Sequence, residues 1–208
     1  MSASGKSPMD WSRESPIPFP FVVLSCYLSG IPLIRILSSP TGLGGRFLTP
    51  LLSSALHSVS DGASSVENNP QKAVALLTVF YVFVVYILSA IMSALAQLLG
   101  NKTGYKNKEP RLNKRTVAGG IPHRMVATHE ALYDIFPAYA VAAALVASTF
   151  TGPSASMVTA INALVLHVFL KLFVFAPVYL LGIDPVRTYS HMCAVAAVLV
   201  AIWSVVVS

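Results

Sequence analysis

RMVATHEALYDIFPAY, Arg124 to Tyr139, is the stretch on which the reading of this chain turns. It starts at the edge of a basic loop and runs into a segment without a single Asp, Glu, Lys or Arg from Ile135 to Leu170. It carries Arg124, His129, Glu130, Asp134 and Pro137 where a lipid-facing helix would carry none. Ionisable groups entering a membrane are costly, so they usually face a bundle interior or a site. The rest of the chain reads as the scaffold for this stretch, preceded by an amino-terminal extension.

The composition places that scaffold in a membrane. Of 208 residues, 55% are hydrophobic and only 11% are charged, well under the roughly 25% of a soluble domain. Charge-free runs cover Ala73 to Asn101 and Thr188 to Ser208 as well as Ile135 to Leu170. A spanning helix needs about 20 mostly apolar residues, and lipid-embedded backbone must satisfy its own hydrogen bonds. An all-α integral membrane protein follows. Residues 102 to 124 hold seven basic side chains against Glu109, so this one segment carries the +6 of the whole chain. A basic loop between spans is first a topology signal and second an attraction for anionic lipid or an anionic substrate. Nucleic acid is disfavoured as a partner, because no aromatic-interleaved basic surface or known binding module appears. Cys26 and Cys193 give neither a disulfide framework nor metal spacing, and Cys193 in its apolar run reads as a small packing residue.

Outward from the opening stretch, the chain divides into residues 1–72 and 73–208. Residues 1 to 18 are rich in Ser and Pro and read as disordered. Phe19 to Ile36 is apolar but interrupted by Gly30, Pro32 and Arg35. It is expected to be interfacial, re-entrant or poorly structured rather than a full span. Residues 37 to 72 read as a linker with at most a short surface helix over Leu48 to Val59. Spans are expected over Ala73 to Leu99, Pro122 to Ser148, Ala155 to Leu181 and Val186 to Val207. The first ends at Gly100-Asn101, a helix C-cap signal. Tyr81 and Tyr86 lie inside it and are expected to pack on neighbouring helices. The alanine-rich half of the second span points to close helix packing. Short connections make an antiparallel four-helix bundle. The positive-inside rule puts residues 101–123 in the cytosol, with Asp184 and Arg187 at the same side.

On a helix of 3.6 residues per turn, Arg124, Glu130 and Asp134 fall within about 120° of one another. Ala127 and Ala131 leave space between them, and His129 lies opposite. A cation and two acids around a gap suit a polar, zwitterionic ligand; the alternative is mutual neutralisation between helices. Arg187 opens the fourth span, either as a snorkelling anchor or as a fixed cation for a thiolate or other anion. Tyr179 stands eight residues earlier as a hydroxyl donor to the same ligand or as an interfacial aromatic. Lys171 and His167, one turn apart, face the bundle or snorkel, and spacing alone does not choose.

Three pieces carry a family resemblance: GYKNKEPR (Gly104 to Arg111), RMVATHEALYDIFPAY, and YLLGIDPVRT (Tyr179 to Thr188). In order and spacing, residues 73 to 208 resemble the membrane-associated proteins in eicosanoid and glutathione metabolism, the MAPEG superfamily, and most closely its less characterised microbial members. The resemblance implies a homotrimer of four-helix subunits in the endoplasmic reticulum or another endomembrane. It implies glutathione as co-substrate, bound between neighbouring subunits near the cytosolic face. Arg187 then takes the place of the arginine that stabilises the glutathione thiolate, and Tyr179 that of a pocket tyrosine. Asp134 stands where the family has Glu, while Pro137 and Tyr139 stand where it has Pro and Phe. The family's arginine and asparagine positions hold Ala127 and Ala131, and an upstream tyrosine position holds Phe175. Arg124, one turn before Ala127, is a partial substitute for the arginine.

Two functions are therefore expected. One is a glutathione-dependent transferase or peroxidase acting on lipophilic electrophiles that arrive from the lipid. The other is a non-catalytic bundle of the same fold, serving as a membrane scaffold or lipid-interaction protein. A channel or pump is disfavoured, since no inverted repeat or chain of intramembrane acids is present.

Overall fold

The computed structural model describes residues 18–59, 65–101, 104–106, 108 and 110–208. Every regular element among the described residues is helical. Helix α1 runs Pro18–Ser38 and α2 Thr49–Val59, preceded by a π-helical turn over Gly44–Leu48. The first long helix, α3, covers Pro70–Gly100 with a π-helical turn at Phe83–Leu88. A short α4, Pro110–Arg115, lies in the basic loop. Then come α5 (Ile121–Thr149), α6 (Ala155–Leu181, with a π-helical turn at Leu170–Phe175) and α7 (Asp184–Val206). Four helices, α3, α5, α6 and α7, are long and apolar enough to cross a membrane, consistent with a multi-pass membrane protein.

The expected spans agree with these helices to within about three residues, and local chemistry explains the ends. Proline occupies the first turn of α3, α5 and α7, where its missing N–H costs nothing. Ser154 caps α6 by accepting the Met157 N–H at 3.0 Å. Between α6 and α7 the chain turns at Gly182, which has φ +75°. Its N–H donates to Tyr179 O at 3.1 Å and the Ile183 N–H to Val178 O at 3.0 Å, the paired bonds of a Schellman turn that favours glycine. Gly100 has a different role from the one its position implies. It is the last helical residue of α3, and a β-carbon there would stand 2.7 Å from Val117 and 2.8 Å from Pro122. Glycine here lets the start of α5 and the end of α3 touch.

Small residues set the packing. Ala194, Ala196, Ala197 and Ala201 of α7 are fully buried, chiefly against α6, α5 and α1, as expected where membrane helices pack through short side chains. Ala142, Ala143 and Val146 bury one face of α5, while Val141 and Leu145 stay exposed. At the end away from the basic loop, Gln71 Nε2 donates to Phe150 O at 2.7 Å and joins the start of α3 to the end of α5.

The expectation of a poorly structured amino-terminal extension does not hold for residues 18–59. Helix α1 lies along α7 and α6, burying Gly30, Ile34 and Ser38, a stripe repeating every fourth residue. The stripe is one side chain wide, so the segment reads from sequence as apolar all round. The helix also tolerates Pro32, which lies on its exposed side. The surface helix anticipated over Leu48 to Val59 is α2, and it is anchored: Leu52 and Leu56 are buried. Asn162 of α6, itself fully buried, holds the α1–α2 connection. Its Nδ2 donates to Ser38 O at 3.0 Å and its Oδ1 accepts the Thr49 hydroxyl. Ile34, Leu52, Leu56 and Val66 thus belong to the same apolar core as the spans. The disorder read for residues 1 to 18 falls outside the described residues apart from Pro18, which opens α1.

Candidate functional site

Two polar regions emerge, one inside the bundle and one at its end, and α6 organises both. His167, Lys171, Phe175 and Tyr179 repeat every fourth residue along it, so a single ridge carries them. The deeper region centres on His167, Tyr81 and Tyr139, all fully buried. The Tyr81 and Tyr139 rings meet edge to face at 4.8 Å, and Tyr139 stacks on His167 at 5.4 Å. His167 Nδ1 lies 2.8 Å from Ala194 O. A carbonyl only accepts, so Nδ1 carries the proton and Nε2 accepts the Tyr81 hydroxyl hydrogen at 3.3 Å. The Tyr139 hydroxyl pairs with Thr78 at 3.2 Å.

One turn further towards the basic-loop end lies Lys171. It does not snorkel: it is fully buried, and its Nζ donates to His191 Nδ1 at 2.9 Å and to Ala131 O at 3.4 Å. Its third side faces the Phe175 ring, 3.9 Å from the centroid. Lys171 sits in the π-helical turn of α6. The π-helical turn of α3 stands immediately before Ser89. Ser89 donates to Val85 O at 2.5 Å and accepts from His129 Nδ1 at 2.8 Å. Two widened turns, a feature often found at functional sites, therefore grip His129 and Ala131 of α5 from two neighbouring helices.

The second region is the cationic end. The Arg187 guanidinium lies 4.7 Å from the centroid of the Tyr179 ring and pairs with Asp184 at 3.1 Å. Asp184 stands in the first turn of α7, where a carboxylate also complements the helix dipole. Tyr179 in turn meets Phe175 edge to face at 5.4 Å. Lys171, Phe175, Tyr179 and Arg187 thus form a continuous cation–aromatic–aromatic–cation column from the core to the turn. Arg124 reaches the same turn from α5: a β-carbon on Gly182 would lie 2.6 Å from its Nη1. Its Nε is buried and, among the described residues, is the buried side-chain nitrogen or oxygen without a hydrogen-bond partner.

Of the sequence-derived candidates, Arg124, Tyr179 and Arg187 gather around the α6–α7 turn. Glu130 and Asp134 do not join them by any hydrogen bond or ion pair among the described residues; both are exposed on α5. Glu130 instead pairs with Lys114 of the basic loop at 3.5 Å. The shared helical face read for Arg124, Glu130 and Asp134 is split: Arg124 meets the α6–α7 turn, while Glu130 meets Lys114 of α4. Sequence reasoning left Lys171 and His167 unassigned, although the four-residue repeat on α6 was the signal that unites them. His191 and Ser89 had no such signal, because their partners come from other helices. No group of three or more His, Cys, Asp or Glu gathers among the described residues. No protein-family model, no curated protein and no solved structure matches this chain.

Proposed function

We propose that this chain is a membrane-bound, glutathione-dependent transferase or peroxidase of the MAPEG kind, acting on lipophilic electrophiles. One observation carries the reading: the buried Arg124 Nε without an acceptor, beside the turn that leads to Arg187. A buried donor left unpaired costs about 1–3 kcal/mol, more when charged, and a ligand carboxylate removes that cost with a charge-assisted bond. Glutathione fits the donor set, since it offers two carboxylates and a thiol while Arg124 and Arg187 offer two cations and Tyr179 a hydroxyl.

In this reading Arg124 binds a carboxylate and orients the tripeptide. Arg187 holds the thiol as its anion, and the Tyr179 hydroxyl donates to the same sulfur. Glutathione supplies the nucleophilic sulfur that attacks the electrophile. The apolar outer faces of the spans deliver the second substrate laterally from lipid. Exposed Glu130 and Asp134 on a spanning helix favour a neighbouring subunit against α5, and we place a homotrimer there, with glutathione between subunits. A scaffold without catalysis is the competing reading. It is favoured by the Asp184 carboxylate already at Arg187 and by the lack of donors at Ala127 and Ala131.

Calorimetry on detergent-purified protein decides between them. Saturable glutathione binding in the wild type, weakened at least tenfold in Arg187→Ala and in Arg124→Ala, is the expected result, since a charged hydrogen bond lost at a binding site costs about 1.5–3 kcal/mol. Absence of binding at millimolar glutathione, by protein that unfolds cooperatively, would leave the scaffold.

A further inference from the structure

The basic loop is more ordered than a topology signal requires. Orientation in a membrane needs only the positive charge, yet the described residues of the loop are fastened at several points. Asn101 Nδ2 donates to Gln97 O at 2.7 Å and to Asn113 O at 3.1 Å, and its Oδ1 accepts from Thr116 at 2.6 Å. The buried Asn113 side chain bridges Lys106 in both directions: it accepts the Lys106 N–H at 3.1 Å and donates to Lys106 O at 2.8 Å. The Ala118 N–H closes the loop on Gly100 O at 2.9 Å.

This clasp buries two asparagines and turns the cations outward. Lys106, Lys108, Arg111 and Arg115 are exposed. Lys114 is the loop cation with an acidic partner among the described residues. Exposed Tyr105, Leu112 and Ile121 stand among the cations. Because the loop is clasped to the ends of α3 and α5, it stays at the level where those spans leave the hydrocarbon. Ordered cations interleaved with apolar side chains at that depth match one surface, a bilayer of anionic headgroups over acyl chains.

We propose that the exposed cations and apolar side chains of this clasped loop form a preformed docking surface for anionic phospholipid headgroups of the bilayer that holds the protein. The four exposed cations engage the headgroup phosphates and carboxylates, and Tyr105, Leu112 and Ile121 enter the acyl boundary. The proposal is independent of glutathione binding.

The test compares spin-labelled phosphatidylserine with spin-labelled phosphatidylcholine at the protein surface in reconstituted phosphatidylcholine vesicles. Wild type is expected to favour the anionic lipid about fivefold or more, with the preference shrinking as salt rises. Replacing all four cations (Lys106→Gln, Lys108→Gln, Arg111→Gln, Arg115→Gln) is expected to bring the ratio to about one, since each exposed charge contributes to the attraction. Asn113→Ala, which keeps every charge, is expected to lose a smaller part of the preference. An unchanged ratio in the fourfold variant, or a wild-type preference indifferent to salt, overturns the proposal. So does displacement of the anionic lipid by millimolar inorganic phosphate, which would mark a site for soluble anions instead.

Discussion

The polar core around His167 and the cationic end around Gly182 are built on the same ridge of α6, yet they solve opposite problems. In the core, the hydroxyls of Tyr81 and Tyr139, both nitrogens of His167 and the Lys171 ammonium all have partners. At the end, Arg124 is packed against a glycine with its Nε buried and unpaired. A satisfied buried network stabilises and specifies one packing. An unsatisfied one costs stability and waits for an acceptor. The same helix thus borders a part whose polar groups are satisfied and a part where a buried donor, the Arg124 Nε, is left without a partner.

The substitutions that test this contrast range from large to negligible effects on stability. Tyr139→Ala strikes the centre of the core and is expected to lower stability by about 3–5 kcal/mol, read as a fall in unfolding temperature in detergent. A loss under about 1 kcal/mol would mean the aromatic cluster does not organise the bundle. Lys171→Ala opens a cavity and strands His191 and the Ala131 carbonyl, an expected loss of about 2–5 kcal/mol. Lys171→Met keeps the volume and should recover all but about 1.5 kcal/mol. If Met proves as damaging as Ala, the ammonium contributes more than packing and the core is not merely structural. Asn162→Ala leaves Ser38 O and the Thr49 hydroxyl without their shared partner and should cost about 1–3 kcal/mol. Limited proteolysis between residues 39 and 48 would accelerate with it; unchanged cleavage would show that α1 and α2 are held by apolar contacts alone. Arg124→Met is the sharpest case. It is expected not to lower stability, since it removes a buried donor that has no partner, while weakening glutathione binding at least tenfold, whereas a marked destabilisation would show that Arg124 belongs with the satisfied groups.

Much of the scaffold was legible beforehand. The Gly100-Asn101 signal marked the end of α3, and long charge-free runs set the spans. Helix α1 was misjudged because its anchors are few: the stripe of Gly30, Ile34 and Ser38, and a single asparagine on a distant span. Tyr179 and Arg187 were identifiable because they flank one turn in sequence. Glu130 was grouped with Arg124 by helical phase, yet its partner is Lys114, a residue in a loop whose path no periodicity describes.

The sequence alone determined that four helices are long and apolar enough to cross a membrane, about where each begins, and which end of the bundle carries the positive charge. A bilayer has a fixed thickness and rejects charge, so length and hydropathy suffice for that. Which ionisable groups turn inward was decided only by the tertiary structure. Helical phase says which residues share a face, but not which neighbour that face meets, and the π-helical turns in α3 and α6 shift the phase where Ser89 and Lys171 find their partners. The pairing of Lys171 with His191 and the placement of Arg124 against Gly182 arise from contacts between different helices, and the clasp that orders the basic loop arises from asparagine hydrogen bonds that no periodicity signals.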